Sequence, residues 1–209
     1  MVAKPSTATL AEHPQSPDLH DKVEACLDSS TDFTGICYRT TAYEWATRHD
    51  LISGVGSRLN GGRWNPPNLF DVVYLSCTLD TATAEYFQTN RKRGLPDHEA
   101  MPKVDNAVSC HLTRVLDLTR SKVQRSLGMT ETQISNMAFG KGSTESITQA
   151  IGRLAHSLCF QGLLVPSAAL PGGRNIVVFP EKLTIKMQIQ NIHKLPARRR
   201  RFSPDTKTF

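Results

Sequence analysis

"DVVYLSCTLDTATAEYFQ", residues 71–88, changes its period half-way along. Val72, Val73, Tyr74 and Leu75 form a short run of strand-forming residues, which predicts a buried strand. Thr78 then stands where an N-cap belongs. Asp80 puts a carboxylate in the first turn, where the helix dipole favours it. Leu79, Ala82 and Tyr86 share one face of the expected helix over residues 78–88, and Glu85 lies at the edge of that face. Glu85 is thus placed to reach a cleft without being sealed in a core. A strand running straight into a helix is the unit from which the rest is read.

Working outward, "GICYRTT" (35–41) and "AVSCHLTRVLDL" (107–118) predict strands. "LLVPSAA" (163–169) and "NIVVFP" (175–180) predict two more, joined by the turn "LPGGR". "ESITQAIGRLAHSLCFQG" (145–162) predicts the clearest helix. Its stripe is Ile147, Ala150, Ile151, Leu154 and Leu158, and Gly162 is its expected stop. Residues 89–106 are polar and broken by Pro and Gly, hence a loop, while 120–143 mix helical pieces with a glycine-rich end. The elements follow no repeating strand–helix order and the strands are short. That predicts a single α+β domain.

Before the central strand stands "LNGGRWNPP", residues 59–67. Turns favour Gly, Asn and Pro, but a large aromatic and a lone arginine are unusual in one. The stretch is either a surface turn or a backbone bent to hold a charged ligand. Familiar phosphate loops are absent. "GVGSRL" (54–59) begins like a dinucleotide fingerprint but has Leu59 at the third glycine position. There is no GxxxxGK[ST] loop and no GxSxG elbow.

The chain has 209 residues with 39% hydrophobic content, enough for one sizeable core. Its formal charge of +6 is mostly a property of residues 194–209, where six Lys and Arg face only Asp205. A body built to track nucleic acid would spread its charge over a face, so direct nucleic-acid binding is not expected of the nearly neutral remainder. The five cysteines include no CxxC pair and no zinc-like spacing, so they read as reduced thiols, with no metal. No signal-peptide core and no long apolar run occur, which predicts a cytoplasmic protein without membrane contact. Residues 1–20 read as a flexible leader, 21–193 as the folded domain and 194–209 as a basic tail.

Polar residues recur where strands meet turns: Tyr38 and Arg39, Arg63, Tyr74 followed by Glu85, and Ser167. Each alone has a plainer reading. Arg39 could close a surface ion pair, Arg63 cap a turn, Tyr74 fill the core, Glu85 face solvent and Ser167 serve a turn after Pro166. Histidines and cysteines read as structural. Their joint occurrence is what carries weight.

The spaced pattern "YR…GGRWNPP…VVYLS…TATAEYF…GLLVPSAA…NIVVF", residues 35–179, resembles the RES domain family of bacterial toxin–antitoxin systems. The resemblance implies a fold like that of ADP-ribosyltransferases, with a split central sheet and flanking helices. It implies cleavage of the nicotinamide–ribose bond of NAD, which is substrate and not cofactor, and an Xre-type helix-turn-helix antitoxin as partner. A homodimer is compatible with it. By position, Arg39, Glu85 and Ser167 match the family's arginine, glutamate and serine. Arg63, Tyr74 and Asn175 match accompanying pocket residues. The stretch between Glu85 and Ser167 and the basic tail "ARRRRFSP" (197–204) depart from compact members.

The chemistry fits those residue types. A guanidinium fork suits phosphate oxygens, which points Arg39 and Arg63 at the diphosphate. Gly61 and Gly62 would let backbone approach a ligand, Tyr74 could stack on nicotinamide, and Trp64 is expected to be a buried wedge. Glycosidic cleavage builds positive charge on the ribose, which a fixed carboxylate, Glu85, would stabilise. Ser167 would hydrogen-bond nicotinamide or a phosphate. Phosphate or water is the expected acceptor. Two rivals are a mono-ADP-ribosyltransferase acting on one host protein and a nucleic-acid or partner-binding module built on the basic tail.

Overall fold

Seven helices and six strands make up the described part of the computed structural model, residues 9–136 and 142–190. In chain order they are α1 (Ser16–Glu24), β1 (Thr31–Ala42), α2 (Arg48–Ile52), α3 (Val55–Asn60), β2 (Val73–Ser76), α4 (Leu79–Lys92) and β3 (Lys103–Asp117). Then come α5 (Ser121–Ser126), α6 (Glu131–Asn136), α7 (Ile147–Ser157), β4 (Gly162–Pro166), β5 (Arg174–Val178) and β6 (Gln188–Ile189). The fold is α+β, as the irregular order predicts.

The sheet curls until it meets itself. β1 pairs with β2, β2 with β5, β5 with β4, β4 with β3, and β3 returns to β1, while β6 lies beside β3. Only the β3–β4 pairing is parallel. Alternation along each strand therefore splits the apolar residues between two cores. Inside the curl pack Cys37, Val73, Leu75, Leu112, Ile176 and Val178, with Leu51 of α2. Outside, Leu163, Val165 and Val177 meet Trp64 and the apolar faces of α1 and α7. The near-continuous apolar strands "GLLVP" and "NIVVF" arise because both of their faces are covered.

Local chemistry explains the elements that position the site. Thr78 caps α4 by accepting from the Thr81 amide at 3.2 Å. α7 opens with a capping box: Ser146 Oγ accepts from the Gln149 amide, and Gln149 Oε1 accepts from the Ser146 amide at 2.9 Å.

Several expectations are corrected. The leader does not extend to residue 20, because α1 begins at Ser16 and buries Ser16 and Leu19. Ahead of it Ala11 bridges Thr144, and the His13 amide donates to Glu145 Oε1 at 3.0 Å. Glu145 is buried and held by Arg153 Nη2 at 2.6 Å, so an ion pair ties this segment to α7. Pro17 does not prevent α1, because a helix tolerates Pro in its first turn.

β1 and β3 are not short. They pair along nearly their whole length, from Thr31↔Val115 to Ala42↔Lys103. β3 accordingly reclaims residues 103–106 and α4 runs to Lys92, so the loop expected over 89–106 shrinks to 93–102. The polar letters Lys103 and Asp105 misled because they pair with each other and with Thr40 across the strands. Helix α7 stops at Ser157, not before Gly162. Cys159 takes the left-handed conformation at φ 61°, and Gly162 already belongs to β4. Leu79 is exposed rather than part of a buried stripe. The basic tail, 194–209, lies outside the described residues.

Candidate active site

Glu85 lies on the inward side of α4, half-buried. Its Oε1 accepts two short bonds, from Ser167 Oγ at 2.7 Å and from Asn175 Nδ2 at 2.6 Å. Ser167 follows β4 and is 7% exposed. Its hydroxyl also accepts from the amides of Ala169 and Leu170, both at 3.1 Å, which locks its rotor so that the proton points at Glu85. Asn175 opens β5. Its Oδ1 accepts from Ser76 Oγ at 2.7 Å across the β2–β5 ladder, where Ser76 and Asn175 are direct partners. A carboxylate can only accept, so the Asn175 amide must present its nitrogen to Glu85 and its oxygen to Ser76. The carboxylate is thus held by two residues, Ser167 just after β4 and Asn175 of β5, that lie eighty-two and ninety positions from it in the sequence.

Arg63, in the turn, is the cation whose charge acts on the same carboxylate. Burial lowers the pKa of its guanidinium, opposed by the charge of Glu85 and then by Tyr74. Its Nη2 donates to the Ile134 carbonyl of α6, while its Nε is buried with no hydrogen-bond partner among the described residues. A buried unmet donor typically costs about 1–3 kcal/mol, so the position of Arg63 is held at some expense. Next to Ser167 opens a depression of about 390 Å³ between α6 and the 166–172 turn, lined by Glu131, Thr132, Ser135 and Ser167. Roughly 300–1,000 Å³ is usual for small-molecule sites.

The turn itself is a scaffold. Tyr74 donates to Asn65 Oδ1 at 2.7 Å and accepts from the Trp64 amide at 3.0 Å. Burial raises the Tyr74 pKa, against the Trp64 hydrogen bond and the Arg63 charge, so its hydroxyl stays protonated. Its hydroxyl therefore anchors the turn, a different role from stacking on nicotinamide. Gly62 is needed for the same reason: a Cβ there would lie 2.4 Å from the Tyr74 hydroxyl. The close approach is to a protein group where the sequence suggested a ligand. Gln149 Nε2 donates to the carbonyls of Gly62 at 3.0 Å and Asn65 at 3.3 Å, fastening the turn to α7. Trp64 is 2% exposed, the wedge expected of it.

Arg39 is not brought into this network. It shares a strand face with Cys37, and so points into the curl, where its Nη1 donates to the Leu51 carbonyl at 2.6 Å. Burial lowers its pKa, with Asp50 opposing. Tyr38, one residue earlier, pairs with Ser76 and lies on the Glu85 side of the sheet. The structure joins Glu85, Ser167 and Asn175 by hydrogen bonds, lets the Arg63 charge act on Glu85, and leaves Arg39 on the other face.

Sequence reasoning missed Ser76, Asn65 and Gln149. A signal existed for Gln149 alone: "SITQ" (146–149) is a capping-box pattern, S-x-x-Q.

With that geometry in place, the RES domain model matches residues 36–200. The chain belongs to the RES domain family. This RES domain is 34% identical over 152 residues to the NAD(+) phosphorylase MbcT of Mycobacterium tuberculosis, spanning 70% of this chain and 73% of that one. A second M. tuberculosis protein, named "Probable NAD(+) phosphorylase Rv3189", is 28% identical over 157 residues, 75% of this chain and 72% of its own. Among solved structures, the M. tuberculosis MbcT–MbcA toxin–antitoxin complex superposes on the RES domain with TM-score 0.64 at 27% identity. The match covers 83% of this chain and 91% of that chain.

Proposed function

We propose that this RES domain cleaves the nicotinamide–ribose bond of NAD and passes ADP-ribose to inorganic phosphate. The observation that carries the reading is a carboxylate fixed by two hydrogen bonds, Glu85 held through Oε1, with a partly unmet guanidinium acting on it by charge, Arg63 with its buried Nε unpaired among the described residues. The names of the similar mycobacterial proteins, NAD(+) phosphorylases, support it.

As the glycosidic bond breaks, nicotinamide leaves neutral and takes the bonding electron pair, so no general acid is needed. Positive charge develops on the ribose. Ser167 and Asn175 hold one oxygen of Glu85, which leaves the other for a ribose hydroxyl and the developing charge. Arg63 holds a phosphate oxygen, of the diphosphate or of the acceptor. Phosphate oxygen then bonds to the ribose carbon, giving phosphorylated ADP-ribose. Arg63, not Arg39, takes the anion in this reading. Arg39 braces helix α2 at the Leu51 carbonyl.

The test is to incubate the pure protein with NAD, with and without phosphate, and to identify products by mass spectrometry. Nicotinamide and phosphorylated ADP-ribose are expected. Glu85→Gln should lower turnover by about 10²–10³-fold, as removal of a preorganised electrostatic group does. Equal turnover by Glu85→Gln would overturn the assignment, and label transferred to a protein band would replace phosphorolysis by protein modification. The partner we infer is an antitoxin protein, supported by the similar MbcT–MbcA toxin–antitoxin complex, and of the Xre helix-turn-helix type by the family resemblance. Co-expression should yield a complex with suppressed NAD turnover.

A further inference from the structure

Three thiols outside the reaction site meet where the sheet curls shut. Cys37 and Cys110 are buried and Cys77 is half-buried. The β1–β3 register places Cys37 opposite Val108 and Cys110 opposite Gly35, so Cys37 and Cys110 are diagonal neighbours on one face. The β1–β2 register places Tyr38 opposite Ser76. One residue further along the same antiparallel register, Cys37 faces Cys77. The Cys77 amide donates to the Arg174 carbonyl of β5. Cys77 therefore turns its backbone polar groups away from β1, and Cys37 and Cys77 form a non-hydrogen-bonded pair. Such pairs hold their Cα atoms about 4.5 Å apart with side chains close together. A disulfide bridges Cα separations of about 4.4–6.8 Å.

We propose that Cys37 and Cys77 are a redox-active pair that closes to a disulfide when the protein meets a peroxide. Cys77 attacks one peroxide oxygen, forming a sulfenic acid and releasing the other oxygen as water. The Cys37 sulfur then displaces the sulfenic hydroxyl, which leaves as a second water with the Cys37 proton. Two thiols are oxidised by two electrons and one peroxide is reduced to two waters.

The surroundings set the order of these steps. A hydrogen bond with Cys37 lowers the Cys77 pKa; burial opposes this, nearby Arg174 lowers it further, and Asp117 opposes. Contacts with Cys110 and Cys77, with burial, raise that of Cys37. Cys77 is also the more exposed of the two, and so supplies the thiolate that meets the oxidant. Cys159, exposed and without a neighbouring thiol, has nothing to resolve its oxidation within the chain.

The experiment exposes the full chain to a few equivalents of hydrogen peroxide, blocks free thiols by alkylation, and maps the linked peptides by mass spectrometry. A Cys37–Cys77 bond, reversed by dithiothreitol, is expected as the main intramolecular product. Cys110→Ser should retain it and Cys77→Ser should lose it. Accumulation of a sulfinic acid at Cys77, a bond from Cys37 to Cys110 in its place, or alkylation of Cys77 unchanged by peroxide would each overturn the proposal. The readout is the bond in the wild-type chain, independent of NAD turnover.

Discussion

Ser76 touches no group that would react, yet it decides which end of Asn175 faces Glu85. Its hydroxyl donates to Asn175 Oδ1 at 2.7 Å, and the Asn175 nitrogen donates to Glu85 at 2.6 Å. Removing the hydroxyl takes the donor from the Asn175 amide oxygen and frees the amide to turn. Ser76→Ala should therefore lower kcat by roughly tenfold, the equivalent of one hydrogen bond of about 1–1.5 kcal/mol. KM should change little, because Ser76 does not reach the substrate in the proposed mode. Ser76→Thr, which keeps the hydroxyl, should restore most of the rate. A merely structural serine would show matched losses of thermal stability and no rescue, which steady-state kinetics beside thermal melts would reveal. At this scale the sequence was legible for Glu85 and Ser167, since their spacing belongs to a recognisable pattern. Ser76 was not legible: nothing in "VYLS" says that its side chain meets a residue ninety-nine positions later.

At the scale of elements, the turn at residues 61–65 and helix α7 behave as one unit. Gln149 closes the capping box of α7 and donates to the turn, so one side chain serves both. Gly152, one turn further along, gives the turn room. A Cβ there would lie 1.8 Å from the Trp64 carbonyl oxygen. Helix propensity alone says that Gly152→Ala should stabilise α7 by about 0.8–1 kcal/mol. Contact with the loop backbone says the reverse, because a backbone carbonyl cannot swing aside as a side-chain tip can. Gly152→Ala is expected to destabilise the protein by about 1–3 kcal/mol or more, read as a lower urea midpoint. It should also lower turnover in the remaining folded protein, since Arg63 sits in the displaced turn. The stripe of α7 was readable from its period. Its true end was not, because Cys159 adopts a conformation that its letter does not advertise.

For the whole molecule, the curled sheet explains why Arg39 of the sequence pattern stays away from the carboxylate. Neighbouring strand residues point to opposite faces. Once the sheet closes, one face is the interior beside Leu51 and the other carries Ser76, Asn175 and α4. Stability of the assembled body should also depend on pH through His156. Its ring stacks on Phe70 with centroids 4.1 Å apart and meets Phe179 edge-on. Burial lowers the His156 pKa, and the bond to Glu181 only partly offsets it. A histidine with a lowered native pKa takes up its proton more readily in the unfolded chain. Stability should therefore fall as pH drops below the unfolded value near about 6.5, down to the lower native value, with a slope no steeper than about 1.4 kcal/mol per pH unit. Urea midpoints at about pH 7 and about pH 5 should show this loss, and His156→Gln should flatten it.

By itself the sequence determined the α+β class, the family, the strand–helix unit at residues 71–88 and the identity of the carboxylate. Each rests on local period or on a spaced pattern, and both are written in consecutive letters. Only the tertiary structure decided that β1 and β3 are long, that Gly62 yields to Tyr74, and that Arg39 turns to the Leu51 carbonyl while the charge of Arg63 acts on Glu85. Those outcomes depend on which strand edges meet and on which face each side chain then points to. Closing the sheet fixes both at once, through hydrogen-bond registers between segments far apart in the chain.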